Sequence, residues 1–590
     1  MKSTRIPTAT IFRRLIGNEP GRYALNALMW TAIWVMPILP AFVTKAFFDR
    51  ITDDEPVGLT VATLVTLMVA YGLGRTAVMV FAMWNDQHFT FRVGSTLRSN
   101  LLSRIFELPG AQALDQSPGE AISRFREDID ETEETISWTV DMVGLLAFSG
   151  LALWIMVSID ARITTIVFAP TVAVVWVSAA ARQRVRRYRE AARETTGRIT
   201  DVIGETFGSV QSIKVAGAER SMIAHFRALN DERRGVMVKD RVLTSVLESV
   251  FWNTINIATG LILIAAASAM SNGDFTVGEF ALFVYFLGFV TDAVFVLGLF
   301  IARFQQATVS FGRMLKLLGG AGSGRLTTKT DLQLTGPIEQ PDVIPPRFAP
   351  LERLEVRGLT FRHPGTDAGI EDVTLTLERG SFTVVTGRVG AGKTTLLRTI
   401  LGLLPSEAGT VSWNGAVVDD PATFFVPPRS AYTPQVPRLF SMSLLENLLM
   451  GRRDPTEMVD AAISSAVMES DLDGMTEGLH TMVGPLGVRL SGGQIQRSAT
   501  ARMFVRRPDL LVFDDVSSAL DVETERILWE RLFRERSSVT SLVVSHRRPA
   551  LRRADQIVVM ENGRVAVSGT LDQVLDHQAF RAIWEGNGER

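Results

Sequence analysis

No cysteine occurs anywhere in the 590 residues, so disulfides, zinc–thiolate sites and a thiol nucleophile are all excluded. A large excess of either charge is also missing. The 61 basic and 63 acidic residues nearly cancel, and nothing global marks a nucleic-acid binder. Charge itself is sparse, at 21% of the chain against 46% apolar, and mean hydropathy is positive. That balance suits a protein half embedded in a membrane. The length exceeds what one core supports, so at least two domains are expected.

The apolar residues gather in the first half, in segments at about 23–46, 58–83, 138–158, 163–181, 246–270 and 276–301. Each is long enough to span, since ~20 residues at ~1.5 Å rise cross a ~30 Å hydrocarbon layer. Six spans return the chain to the side from which it started. The first run has no convincing small-residue cleavage site and reads as a retained span, kinked at Pro37 and Pro40. The stretch before it is basic, as are the segments carrying Arg92, Arg98 and Arg104 and the run RQRVRRYREAAR. The alternate loops DRITDDEP, SIDAR and SNGDFTVGE are acidic or short. The asymmetry places the basic segments, and everything after residue 301, in the cytoplasm. The segments 84–137 and 182–245 are charged and amphipathic, so the spans are expected to continue as long cytoplasmic helices. The Arg run at 182–189 reads as a solvated helix face at the membrane edge.

Residues 319–350 are rich in Gly, Pro, Ser and Thr and read as a linker; from 351 onward, β-rich runs alternate with helical ones. The expected organisation is an all-α membrane domain over 1–318, the linker, and an α/β domain over 351–590.

The strongest motif is SFTVVTGRVGAGKTTLLRTI, a strand over Phe382–Thr386, a glycine-rich loop and an amphipathic helix. This is a phosphate-binding loop in its required context. Gly387, Gly390 and Gly392 let the backbone wrap phosphate oxygens, and the intervening Arg388, Val389 and Ala391 contribute N–H groups. The helix N-terminus, with Lys393, Thr394 and Thr395, favours anionic charge. Lys393 is placed to reach the β- and γ-phosphates and Thr394 to ligate Mg²⁺. LLVFDD follows at 510–515, a buried strand ending in two acids. Such an end is costly unless a cation or hydrogen bonds compensate, which makes Asp514 the expected partner of Mg²⁺.

Between these motifs stands LSGGQIQR, Leu490 to Arg497. With it the chain resembles an ABC transporter of the exporter type, six spans fused to one nucleotide-binding domain, and the resemblance covers essentially the whole chain. It implies a helical membrane domain joined to an α/β P-loop NTPase domain. It further implies a head-to-tail pair of nucleotide domains, with ATP held between the phosphate loop of one and Ser491, Gly492, Gly493 and Gln494 of the other. By the same resemblance Gln435, in YTPQVPRLF, touches Mg²⁺, Asp521 is the D-loop acid, His546 is the switch histidine at the γ-phosphate, and Asp515 stands at the catalytic-base position. GEAISRFREDIDE and GETFGSVQSIKVAGAE resemble the regions near the family's two coupling helices.

Three departures stand out. The base is usually Glu, and Asp515 is one methylene shorter; a misplacement near ~1 Å can cost ~10²-fold in rate. In paired exporters such an Asp commonly marks a weakened site whose partner chain carries Glu, so a second, different half-transporter is favoured over a second copy. The aromatic that stacks on adenine is usually Tyr, whereas here it is His363, with less area to stack. The Glu-Arg pair expected before LSGGQ is replaced by Pro485 and Leu486.

Polar residues inside spans are functional candidates: Arg75, Asp141, Asn253, Asn256 and above all Asp292, in an otherwise apolar run. Cargo is not legible beyond amphipathic, lipid-like, drug-like or peptide classes. No peptidase segment precedes the first span, and the missing cysteine excludes a cysteine-peptidase exporter. The expected protein is an ATP- and Mg²⁺-dependent export half-subunit of a plasma (inner) membrane, with the N-terminus and nucleotide domain cytoplasmic. The rival readings are an importer built on the same fold and a nucleotide-gated channel or regulator with little hydrolysis.

Overall fold

The computed structural model describes residues 8–52, 59–110, 118–271, 274–319, 322–332, 336, 348–366, 368–485, 490–535 and 539–586. Two compact units result, Met1–Leu102 with Gln116–Leu334, and Ser103–Asp115 with Thr335–Arg590. Half of the Gly/Pro-rich stretch at 319–350 lies outside the described residues, as does Leu486.

The first unit is helical. A short amphipathic helix α1 (Thr8–Asn18) precedes α2 (Pro20–Val35) and α3 (Ile38–Thr52). Helicity breaks at Met36–Pro37, because Pro37 and Pro40 have no N–H to give to the preceding turn. Next come α4 (Val61–Glu107), α5 (Pro118–Ser123) and a π-helical turn at Arg124–Asp128 that leads into α6 (Ile129–Ile159). α7 (Ala161–Gly208), α8 (Val210–Val215), α9 (Glu219–Ser271), α10 (Val277–Leu317) and α11 (Ser323–Leu326) complete the unit. Among the described residues six helical stretches are long and apolar enough to cross a bilayer. Several run far beyond membrane thickness, α9 with 53 residues and α7 with 48. The charged segments of the sequence are thus continuations of spanning helices.

Packing within this unit is uneven. Phe148, Phe283 and Phe286 form a core with Ala258 and Ile262 of α9. Further along, α7 and α9 leave Phe207 79% and Val215 84% exposed around α8. Polar side chains fasten the other helices. Asn26 Nδ2 donates to Asp86 Oδ1 at 2.8 Å, Ser137 Oγ to Asp86 Oδ2 at 2.7 Å, and Asn85 Nδ2 to Asn26 Oδ1 at 2.7 Å. This buried network on α2, α4 and α6 went unmarked in the sequence. Asp141 accepts from Trp34 Nε1 at 2.8 Å, and Asn253 donates to the Ser249 carbonyl. Asp292 lies on the exposed side of α10, beside the fully buried Thr291.

The second unit is α/β. A four-stranded antiparallel sheet runs β2 (Gly369–Glu378), β1 (Arg353–Arg362), β4 (Ala408–Trp413), β5 (Ala416–Val417). The main sheet combines β3 (Phe382–Gly387) and β6 (Ser430–Thr433) with later strands; a two-stranded ribbon of β7 (Met442–Ser443) and β8 (Met482–Val483) stands apart. With β9 (Leu510–Asp514), β10 (Thr540–Val544), β11 (Gln556–Glu561) and β12 (Arg564–Gly569), its order is β12-β11-β3-β10-β9-β6. All neighbours are parallel except β11 and β12. The parallel strands are covered on both faces, which is why β3, β9 and β10 are rich in apolar residues and buried along their whole length.

At the start of α10, Gly278 N–H donates to Asp49 Oδ1 at 3.0 Å. A Cβ there would lie 2.4 Å from the Lys45 carbonyl and 2.3 Å from Asp49 Oδ1. Gly278→Ala is therefore expected to force α3 and α10 apart and destabilise this unit by about 1–3 kcal/mol. Thermal unfolding of the purified chain in nanodiscs checks this; an unchanged transition overturns it.

Candidate functional site

β3 delivers Gly387 to the carboxyl edge of the main sheet, where open α/β sheets bind ligands. The chain then turns through Arg388–Gly392 into helix α12 (Lys393–Ile400). Gly387 has φ +152° and Gly392 φ +96°; a Cβ on Gly387 would sit 2.4 Å from the Met560 carbonyl oxygen. Lys393 Nζ donates to the carbonyls of Gly387 and Arg388 at 2.8 and 2.9 Å, folding back over its own loop. Burial holds its ammonium below the usual lysine range, against the pull of Asp515 and Asp514.

Asp514 ends β9 fully buried. It accepts from Thr394 Oγ1 at 2.9 Å and from the Tyr432 hydroxyl at 3.0 Å. Burial, with the adjacent Asp514, raises the Tyr432 phenol far above its usual range. Tyr432 was not singled out in the sequence, although it stands three residues before Gln435 in the quoted YTPQ stretch. Its register opposite Val512 on β9 is what aims it at Asp514.

Asp515 follows with φ +51°, a left-handed conformation unusual for a side-chain-bearing residue. Its Oδ2 accepts from Gln435 Nε2 at 3.2 Å, and its Oδ1 is buried without a hydrogen-bond partner among the described residues. Burial lifts its carboxyl above the ordinary range; the charge of His546 is the main influence opposing this, Asp514 adds to the rise, and Gln435 and Lys393 oppose it.

A cavity of about 650 Å³ joins these groups, lined by residues 387–395, Gln435, Asp514, Asp515 and His546, with His363 at its margin. His363 Nε2 stands 3.5 Å from Thr395 Oγ1, and its ring meets Phe361 edge-on. Ala368, Gly369, Val544, Ala582 and Ile583 also line the cavity. The last two come from a C-terminal helix, Gln578–Gly586, whose sequence carries no phosphate-site motif.

Five nominated residues lie elsewhere. Ser491 caps the helix Gly492–Phe504 in a reciprocal pair with Gln494, leaving the N-terminus of that helix open at Gly492. Gln494 Nε2 and Arg497 both donate to Asp471, the latter at 2.6 and 2.8 Å. Asp521 accepts from Thr524 N–H and Oγ1 at the start of the helix Val522–Glu535, and the Thr524 hydroxyl holds its carboxyl below the usual range. None of Ser491, Gly492, Gly493, Gln494 and Asp521 lines the cavity. The single chain thus presents a phosphate loop with two acids in one place and a capped, glycine-bearing helix start in another.

Two family models match. Residues 28–294 match the ABC transporter transmembrane region, and residues 370–518 match the ABC transporter nucleotide domain. The chain belongs to the ABC transporter family. It is 25% identical over 95% of its length to a probable multidrug resistance ABC transporter ATP-binding/permease protein of Bacillus subtilis, covering 94% of that protein. It is 27% identical to an ATP-dependent lipid A-core flippase of Thiobacillus denitrificans, with 96% of each chain covered. In fold it is similar to a bacterial Atm1-family ABC exporter solved with ATP bound, at TM-score 0.72, 20% identity and 99% coverage of both chains. The transporter is therefore a multi-pass membrane protein of exporter fold that couples ATP to transport.

Tyr432→Phe removes one of two hydroxyls held by the buried Asp514. A hydrogen bond to a charged group is worth about 1.5–3 kcal/mol, so the variant's nucleotide domain is expected to lose about that much stability. A lowered unfolding transition checks this; one unchanged within error overturns it.

Proposed function

We propose that this chain is one half of a dimeric ATP-driven exporter, with its nucleotide domain on the cytoplasmic side of a plasma membrane. The observation that carries the reading is the separation just described. The cavity holds the phosphate loop, both acids, Gln435 and His546, while Ser491, Gly492 and Gly493 of the same chain lie outside it. A second nucleotide domain, presenting its own helix start, completes the site. The exposed Phe207 and Val215 around α8 supply apolar surface for the same partner.

Within the cavity the backbone N–H groups of the loop and the N-terminus of α12 bind the phosphates, and Lys393 swings from its own carbonyls toward them. Among the described residues no three His, Cys, Asp or Glu cluster to hold a metal unaided. The hard-oxygen set of Thr394, Gln435 and Asp514 instead fits Mg²⁺ shared with phosphate oxygens, and Mg²⁺ bound there would neutralise charge on those phosphates. Asp515, with its unpartnered buried oxygen, accepts a proton from the attacking water, and His546 holds the γ-phosphate. Asp521, already capping its own helix, faces the partner. His363 offers its ring to the base of the nucleotide.

ATP contacts both halves only when the domains close, so its binding energy biases the membrane helices outward, and hydrolysis releases them. The cargo we infer is amphipathic, of lipid or drug-like class, in keeping with the names of the two relatives. The short Asp515 favours a partner chain that carries Glu there.

Two measurements test this. In nanodiscs, Asp515→Asn is expected to lower ATP turnover by about 10²-fold and Asp515→Glu to raise it. Turnover insensitive to both removes Asp515 from the chemistry. Mass spectrometry of the intact particle isolated from its native membrane is expected to show two different half-transporters. A single polypeptide overturns the heterodimer.

A further inference from the structure

Glu525 is a buried carboxylate that the chemistry above leaves unused. It lies in the first turn of the helix Val522–Glu535 and is 1% exposed. Its Oε1 accepts from Ser517 Oγ at 2.6 Å and from Trp529 Nε1 at 3.2 Å. Its Oε2 accepts from Arg547 Nη1 at 2.6 Å, while Arg547 Nη2 donates to the Leu520 carbonyl at 3.1 Å. A carboxyl group so deeply placed is tolerated because both of its oxygens accept hydrogen bonds and one donor is a guanidinium.

The addresses of these partners carry the argument. Ser517 stands two residues after Asp515, in the 3₁₀ turn Val516–Ala519 that follows its left-handed backbone. Leu520 immediately precedes Asp521. Arg547 immediately follows His546, between β10 and the helix Arg548–Arg553. One carboxylate therefore ties together the segments carrying Asp515, Asp521 and His546.

We infer that Glu525 is the positioning residue that fixes Asp515 and His546 relative to each other. The inference rests on the hydrolytic reading above and deepens it. A non-glycine residue at positive φ persists only where its surroundings over-determine it, and the Ser517–Glu525 bond supplies one such restraint just downstream of Asp515. The planar guanidinium of Arg547 reaches Glu525 and the Leu520 carbonyl together, so a displacement of the His546 loop is transmitted to the Asp515 turn. A lysine at that place has no such fork. Glu525 does not line the cavity, and acts only through its neighbours.

The test uses the full chain in nanodiscs, with Glu525→Gln, which keeps the shape, and Arg547→Lys, which keeps the charge at a partly exposed site. Hydrogen exchange read by mass spectrometry is expected to quicken by about tenfold in both 515–521 and 545–548, with the phosphate loop 387–395 unaltered. Quickening in one segment alone, in neither, or evenly across the sheet overturns the inference. ATP kinetics form the second arm. Glu525→Gln is expected to lower kcat by about tenfold with KM for ATP held within about twofold, and to add less than about twofold in a His546→Ala background. An equal loss of kcat in both backgrounds overturns the inference. Absence of turnover in the unmodified chain assigns hydrolysis to a partner chain's site and removes the kinetic arm, and the exchange arm then decides the positioning role alone.

Discussion

The register of three parallel strands is the constraint on which the nucleotide half depends. Val544 of β10 pairs with Val385 of β3 on one side and with Asp514 of β9 on the other. That alignment brings the phosphate loop, both acids and the His546 loop to one level at the sheet edge. A slip of one residue would turn Asp514 to the opposite face and carry its charge into the apolar core. The polar strand end sets this register, because only this alignment brings the buried Asp514 to its donors Thr394 and Tyr432. Asp514 is tolerated in its buried place because Thr394 and Tyr432 donate to its oxygens.

The membrane half obeys a different economy of contacts. Its helices are joined by separate apolar clusters, one around Phe148, Phe283 and Phe286, and by polar bridges, among them Asn26–Asp86–Ser137 and Trp34–Asp141. Such bridges are directional, so they specify which helix faces which where apolar surface alone does not discriminate. Glycines permit close approach at selected points, as where Gly278 meets the Lys45 carbonyl and Asp49. The far ends of α7 and α9, by contrast, end in exposed apolar side chains around α8. That asymmetry is what the proposed pairing with a second half-transporter would use.

Much of the candidate site was legible because its motifs are contiguous. Residues 387–395 form one loop and one helix start, and Asp514 and Asp515 end one strand, so local sequence carries both the chemistry and the backbone that presents it. Tyr432, Ile583 and Glu525 were not legible. Each reaches the site or its supports from a distant part of the chain, and a lone Tyr, Ile or Glu has no local pattern to announce it. Asp292 lies within the sixth span as its apolar neighbours suggest, but only the structure shows its face, exposed where the neighbouring Thr291 is buried. Composition around a residue does not fix the face it occupies.

By itself the sequence determined the class of the molecule: spans from uninterrupted apolar length, a nucleotide domain from the strand–loop–helix pattern, and membership of the family from LSGGQ in its place. These follow from local physics, since membrane thickness, helix rise and the geometry of a phosphate cradle each impose a pattern on neighbouring residues. The separation of the LSGGQ helix start from the cavity of its own chain was implied by the family resemblance, and the tertiary structure places it so. It alone joined Ser517, Glu525 and Arg547 and closed the cavity wall with the C-terminal helix. Those relations depend on strand order and helix packing, where residues far apart in sequence compete for the same few buried hydrogen bonds.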